Sequence, residues 1–423
     1  MSRGARGIAV LAAVSCTALA SAAGAGAATV YVSNSAPTVP GGKTCAQPAY
    51  STVQAAITAA GDGTVEICPG TYVEQISIAG PVKLNAVSGI GTATLAMPAD
   101  AALSKSGCDT LDGLEQIDEI SICTSQTVTM TGLDVQAVIP LETCAYGLNG
   151  IFVGDGGTLS ANSIAVDGAS TSLDNYKGCQ HGIAIEVGSK TPAEVGHAKL
   201  KNVTVSGYEK NGPTVKSPGS TMSITGSTIT GEGPSPYIAQ NGIEVAWGGQ
   251  ATIKSSHVSG NECSIPVVCE AVAEQATGVL FYEAAPGSSL SSSTIEGNDI
   301  GAYYGSGRKT VAATPEVSIS KDLLSSNRYE GILLEEGKAS LRGDTINGSG
   351  RVGVDLYQAA GQLSASESSA SGLKISGQSE AAFEVESDKS PSDVAGKFTI
   401  TKDTASGNGS VLIDDSDNFE VIF

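Results

Sequence analysis

One phrase recurs along this chain, most often at a spacing of roughly 22 to 36 residues, and no other feature restricts its fold as strongly. The first half of the phrase is a Gly or small residue followed by alternating apolar residues. It reads "NGIFVGD" from Asn149, "HGIAIEV" from His181, "NGIEVAW" from Asn241, "TGVLFYE" from Thr277, "EGILLEE" from Glu330, "VGVDLYQ" from Val352 and "AAFEVES" from Ala381. The second half is a short strand and a turn, as in "HAKLKNVTVSG" and "KASLRGDTING". One such unit cannot bury its own apolar side, so the units must stack on one another. Short strands rich in Val, Ile and Thr, separated by Gly and Asn, stack as a parallel β-solenoid with rungs ~4.8 Å apart. An antiparallel sandwich would need Asn-Gly hairpin turns between equal strands, whereas here most Asn-Gly pairs occur once per unit.

Alternation then assigns directions. Ile183 with Ile185, Ile243 with Val245, Val279 with Phe281 and Ile332 with Leu334 are expected to face inward. One outward column is expected to run Phe152, Ala184, Glu244, Leu280, Leu333, Asp355, Glu384. The next runs Gly154, Glu186, Ala246, Tyr282, Glu335, Tyr357, Glu386. Asn298, Asn327 and Asn347 close strands at corners, where positive φ suits Asn and Gly. An open solenoid end is a hazard that needs a cover. "STVQAAITAAGDG" supplies one, a helix with Val53, Ala56, Ile57 and Ala60 on one side and Ser51 or Thr52 as N-cap. Residues 45–62 form this cap, 99–124 an acidic excursion that breaks the pattern, and 29–423 one solenoid domain with no separate second domain.

The first 28 residues have the order of a secretory signal peptide, with Arg3 and Arg6 before an apolar run and a small-residue cleavage region near Ala27 or Ala28. No later run is long and apolar enough to cross a bilayer. Nine cysteines become eight once Cys16 leaves with the signal, and an even count in an exported chain favours disulfides over zinc. Sequence alone leaves the connectivity open. Short loop closure favours Cys45–Cys68, Cys108–Cys123, Cys144–Cys179 and Cys263–Cys269. With 43 acidic against 23 basic residues, the surface repels nucleic acid and anionic lipid. No metal set and no cofactor motif is present, and the chain is expected to be a monomer.

From Tyr50 the chain reads "YSTVQAAITAAGDGTVEICPGTYVEQISI", with Val-Gln-x-Ala-Ile, then a strand, then Pro-Gly-x-Tyr. This resembles the opening segment of pectinesterases and many secreted β-helix proteins of the pectin-lyase-like group. The resemblance implies an all-β fold, a single-stranded right-handed parallel β-helix with an N-terminal capping helix. It does not carry an activity, because the pectinesterase aspartate and arginine motifs are missing. "CQHGIAIEVGS" is similar to the Gly-His-Gly motif of polygalacturonase-like hydrolases, but Gln180 stands for the first Gly and the partner motifs are absent. His181 is nevertheless a candidate.

The outward columns mix aromatic rings with carboxylates, a combination that packs on sugar faces and accepts hydroxyl hydrogen bonds. Trp247, Tyr282, Glu335 and Tyr357 are therefore the expected substrate-binding residues. Asp355 and Glu384, on neighbouring rungs, lie near the spacing a retaining glycosidase uses, and with His181 they are the catalytic candidates. The chain is expected to be a secreted or cell-surface protein that binds an extracellular polysaccharide or cell-wall glycan, or serves as a structural wall. The alternative is a pectate-lyase-like lyase or a glycoside hydrolase acting on such a polymer.

Overall fold

A computed structural model describes residues 28–89, 91–103, 108, 110–111, 114–190, 194–265, 269, 276–305, 316–335, 337–358, 367–387, 396–415 and 419–422. The expected signal peptide, apart from Ala28, lies outside the described residues. Through the repeats every third strand returns to the same sheet, so the chain winds as a right-handed parallel β-helix. Among the described residues, sheet 1 has 14 strands, from Thr29–Val32 to Phe419–Ile422. Sheet 2 has 12, from Gly70–Val73 to Thr404–Ser406. Sheet 3 runs from Ile76–Ile78 to Ser410–Asp415.

Register is what lets so short a strand suffice. Leu159 pairs with Ala198, Ala198 with Met222 and Met222 with Ala251, so inward residues of successive rungs stack into one continuous core. Ile185, Ile243, Val245, Val279, Phe281, Ile332 and Leu334 belong to it, as expected. Ile183 does not. It pairs with Asn149 and Asn211 in a column that faces away from the core.

The Gly of the repeated phrase has a steric cause rather than a conformational one. A Cβ on Gly242 would lie 2.4 Å from Val258 Cγ1, and one on Gly331 would lie 2.4 Å from Ile346 Cγ2. At this position the sheet 3 strand bends against the side chains of sheet 2, which favours the smallest residues. Positive φ belongs to the corners, and there the expectation for Asn needs correction. Gly297 (φ 61°) and Ser326 (φ 54°) take the left-handed conformation. Asn298 and Asn327 follow them, buried, and serve as hydrogen-bond acceptors. Asn261 N–H donates to Asn298 Oδ1 (3.1 Å) and Asn298 N–H to Asn327 Oδ1 (3.2 Å). Each side chain thus satisfies the backbone of the preceding corner.

Helix α1 (Val53–Ala60) covers the first rung with Val53, Ala56, Ile57 and Ala60 buried, as its periodicity predicts. Its cap is different. Thr52 occupies the N-cap without a side-chain bond, and the Glu74 carboxylate accepts instead from the N–H groups of Val53 (2.7 Å) and Gln54 (3.1 Å). The Gln54 amide pairs with the backbone of Ser77, donating to its carbonyl (3.1 Å) and accepting from its N–H (2.8 Å). It blunts the first strand edge of sheet 3. Tyr72 of Pro-Gly-x-Tyr is buried, and its hydroxyl donates toward the carbonyls of Val32 (3.1 Å) and Cys68 (2.9 Å).

The cysteines are joined as Cys45–Cys68, Cys108–Cys123, Cys144–Cys179 and Cys263–Cys269. Four disulfides fit an oxidising compartment outside the cytoplasm. No helix among the described residues is long and apolar enough to cross a membrane. The expected acidic excursion is shorter than its sequence suggested, because Leu114–Cys123 forms a full rung paired with Tyr146–Gly154.

Candidate active site on the outer face of sheet 3

The outward columns of sheet 3 follow from its register, with one correction. Phe152 pairs with Glu186, not with Ala184, so "HGIAIEV" is displaced by two residues from its apparent alignment. Gly182, with φ 91°, belongs to the turn, and Ala184 takes the small inward position. Besides Leu114–Cys123, two rungs, Asn211–Lys216 and Ile300–Gly305, were not recognised in the sequence. The true column runs Phe152, Glu186, Thr214, Glu244, Leu280, Tyr303, Leu333, Asp355, Glu384. Beside it run Lys216, Ala246, Tyr282, Gly305, Glu335, Tyr357 and Glu386.

At its C-terminal end this face concentrates negative charge. Asp355 and Glu384 are register partners, 8% and 6% exposed, and Glu330 from the preceding rung is 4% exposed. Asp355 Oδ1, Glu384 Oε2 and Glu330 Oε2 are buried and accept no hydrogen bond among the described residues. Burial pushes the Asp355 carboxyl well above the usual range, and the charges of Glu386, Glu330 and Glu384 push it further. Burial likewise raises Glu384, with Glu386 adding to it, and brings Glu330 to about 7. Arg351 works against all three shifts. Its Nη1 lies 3.6 Å from Glu330 Oε1, and its Nε donates to Glu380 at 3.2 Å. Three buried carboxyls facing one partial counter-charge oppose one another's ionisation, which favours the protonated form of each over an exposed carboxyl.

Glu330 and Arg351 were missed in the sequence. Glu330 stands at the head of a quoted phrase, and Arg351 precedes the next one. The available signal was that both flank the rung carrying Asp355.

The expected sugar-binding residues lie along the neighbouring column. Tyr282, Glu335 and Tyr357 share it, and Tyr282 is 37% exposed. Tyr303, another residue missed, donates its hydroxyl to Glu335. Trp247 meets Tyr282 edge-on, with ring centroids 6.4 Å apart. The ammonium groups of Lys190 and Lys216 lie 4.2 and 5.3 Å from the Trp247 ring centroid, so the indole is held by cations rather than standing clear.

His181 does not join the acids. Six rungs separate its coil from that of Asp355, ~29 Å along the helix. It is buried beside Glu209 (Nδ1 to Oε1, 3.9 Å), and burial lowers its pKa, partly offset by the Thr143 backbone. It lines a small pocket with Gln116, Asn149, Glu186 and Lys216. The three catalytic candidates are therefore two places, with Asp355 and Glu384 together and His181 apart.

Two groups of side chains among the described residues have metal-like spacing, Cys144, Cys179 and His181, and Cys108, Cys123 and Asp155. In both, the sulfurs are already bonded to each other, so no thiolate is free to bind an ion.

No curated protein matches this chain. Among solved structures, a mutant of the periplasmic alginate epimerase AlgG is 11% identical, with 85% of this chain and 76% of that one covered and a TM-score of 0.51. GH136 lacto-N-biosidase from Eubacterium ramulus is 10% identical, with 91% and 68% covered and a TM-score of 0.54. At such identities the likeness is one of fold, a β-helix found in carbohydrate-active enzymes. Residues 120–370, more than half of the chain, match the family described as "Right handed beta helix region". The chain belongs to that family.

Proposed function

We propose that this protein is an extracytoplasmic glycoside hydrolase acting on a neutral polysaccharide laid along sheet 3, with Asp355 and Glu384 as its acid pair. One observation carries the proposal: Asp355 and Glu384 are buried register partners, each with an oxygen that accepts no hydrogen bond among the described residues, and burial with neighbouring negative charge raises both carboxyls, so that one can stay protonated while the other ionises. Glycoside hydrolysis needs one carboxyl protonated and one ionised. Asp355, the more deeply perturbed, is the acid. It protonates the glycosidic oxygen as that oxygen leaves the anomeric carbon, and a Glu384 oxygen bonds to the same carbon. Water then attacks the anomeric carbon, gives its proton to Asp355 and releases Glu384. Rungs ~4.8 Å apart are close to the ~5–5.5 Å carboxyl separation of retaining enzymes, so the anomeric configuration is expected to be kept.

Tyr282 and Tyr357 supply ring faces along the same face of sheet 3, and Glu335 a hydroxyl acceptor. Both similar structures named above are carbohydrate enzymes, which supports a glycan as ligand. The negative charge contributed by Glu384, Glu386 and Glu330 repels uronates, which favours a neutral polymer over the alginate named for one of them.

The test is reducing-end release from a panel of neutral and acidic polysaccharides by wild type, Asp355→Asn and Glu384→Gln. Release from a neutral member, lost in both variants, and retention seen in the anomeric proton signals are expected. No release from any neutral member, or release that survives both substitutions, would overturn the proposal. Binding without turnover would leave the non-catalytic, carbohydrate-binding wall.

A further inference from the structure

The opposite charge pattern appears on another face. Nine consecutive strands of sheet 1, from Val82–Ala86 to Ala339–Arg342, place two or three residues each on the outer face. None of these residues is acidic, in a chain with 43 acids. The basic ones are Lys83, Lys199, Lys201, Lys254 and Arg342, with His197 beside Lys199, and most of the others are Ser or Thr. Lys199, Lys201 and Lys254 are exposed and make no ion pair among the described residues.

We propose that this face docks an anionic polysaccharide with one carboxylate per sugar, running along the helix axis. Register puts Lys201, Thr225 and Lys254 in one column, and Lys199, Ser223 and Thr252 in the next. The two columns are ~6.8 Å apart, and Lys201 and Lys254 are two rungs, ~9.6 Å, apart. Ammonium groups at that interval, with hydroxyls between them, complement a polymer that alternates carboxylates and hydroxyls. Beside the Lys199 column, on the side away from Lys201 and Lys254, lies a shallow depression lined by His197, Lys199, Thr221, Ser223, Gln250 and Thr252, with the His197 ring nitrogen Nδ1 2.8 Å from Thr221 Oγ1.

Nucleic acid fits less well. Duplex phosphates carry one charge per ~1.7 Å, far denser than these lysines, and the face has no aromatic residue for base stacking. The net charge of −20 does not forbid an anion here. The acids of sheet 3 lie on a different face of the helix, behind a packed core, and in the solvent outside these lysines charge is screened over ~8 Å at physiological salt. The face is distinct from the acid pair of sheet 3, and its occupancy is independent of whether that pair cleaves anything.

Retention of the whole protein on immobilised polygalacturonate tests this, with neutral dextran and duplex DNA as comparisons. Retention on polygalacturonate at low salt is expected to vanish at high salt. It should weaken at least ~10-fold in the triple variant Lys199→Glu, Lys201→Glu, Lys254→Glu and stay unchanged in Asp355→Asn. A triple Lys→Gln variant gives the same readout if the glutamates disturb folding, and thermal melts confirm that each variant is folded. The proposal is overturned if wild type is not retained, if a folded triple variant is retained equally, or if DNA is held as tightly.

Discussion

Asp322 and Asp344 lie one rung apart at a corner, where a buried carboxylate does what Ser256 and Ser293 do on earlier rungs. Ser256 N–H donates to Ser293 Oγ (3.1 Å), Ser293 N–H to Asp322 Oδ1 (2.7 Å) and Asp322 N–H to Asp344 Oδ1 (2.9 Å). Burial raises both acids to about 7, and Asp344 adds repulsion to Asp322. The folded state therefore holds protons that the unfolded chain releases near pH 4. Their stabilisation is complete below that pH and is lost as pH rises through about 7. Glu119, fully buried with no hydrogen-bond partner among the described residues and raised to about 9 by burial and then by Glu74, extends the same trend upward. The melting midpoint is expected to be at least ~3 °C higher at pH 5 than at pH 8. The double variant Asp322→Asn, Asp344→Asn should narrow that gap, as read by circular dichroism melts. An unchanged gap would mean that these aspartates are ionised in the folded protein.

At the scale of the rung, the fold was legible because each coil repeats the same demand for two inward apolar residues after a small one. Failures came where a rung departed from the phrase. Pro213 disguised Asn211–Lys216, and the turn residue Gly182 imitated the small inward position that Ala184 holds. The cap was legible in its buried stripe but not in its N-cap, since Glu74 reaches back to the helix from just beyond the strand Gly70–Val73. Steric need at the small position gives a direct prediction. Gly331→Val would drive a methyl into Ile346 and should destabilise by about 1–3 kcal/mol, with Gly331→Ala milder because Ala184 and Ala382 occupy equivalent places. Urea unfolding checks the order. The Cys45–Cys68 bond closes a loop with sequence separation 23 around α1. Cys45→Ser with Cys68→Ser should lower stability by roughly 3 kcal/mol, with amide exchange rising first in α1.

Over the whole molecule, charge divides by face. Sheet 3 carries buried carboxyls with too little counter-charge, while nine strands of sheet 1 carry none at all. The pairing of Asp355 with Glu384 could be read from the repeat, because both phrases keep the common length and the register does not slip between them. The separation of His181 could not, since counting rungs requires every rung to be recognised. Together the two proposals describe a protein held to one polymer by sheet 1 while it cleaves another on sheet 3. The acid pair is the part of that account most open to direct measurement. Initial rates of reducing-end release from the best neutral polysaccharide should be compared for wild type and Glu384→Gln, with both melts matched. A fall of at least ~10³-fold is expected if Glu384 bonds to the anomeric carbon; a fall of less than ~10-fold in a folded variant would place the chemistry elsewhere.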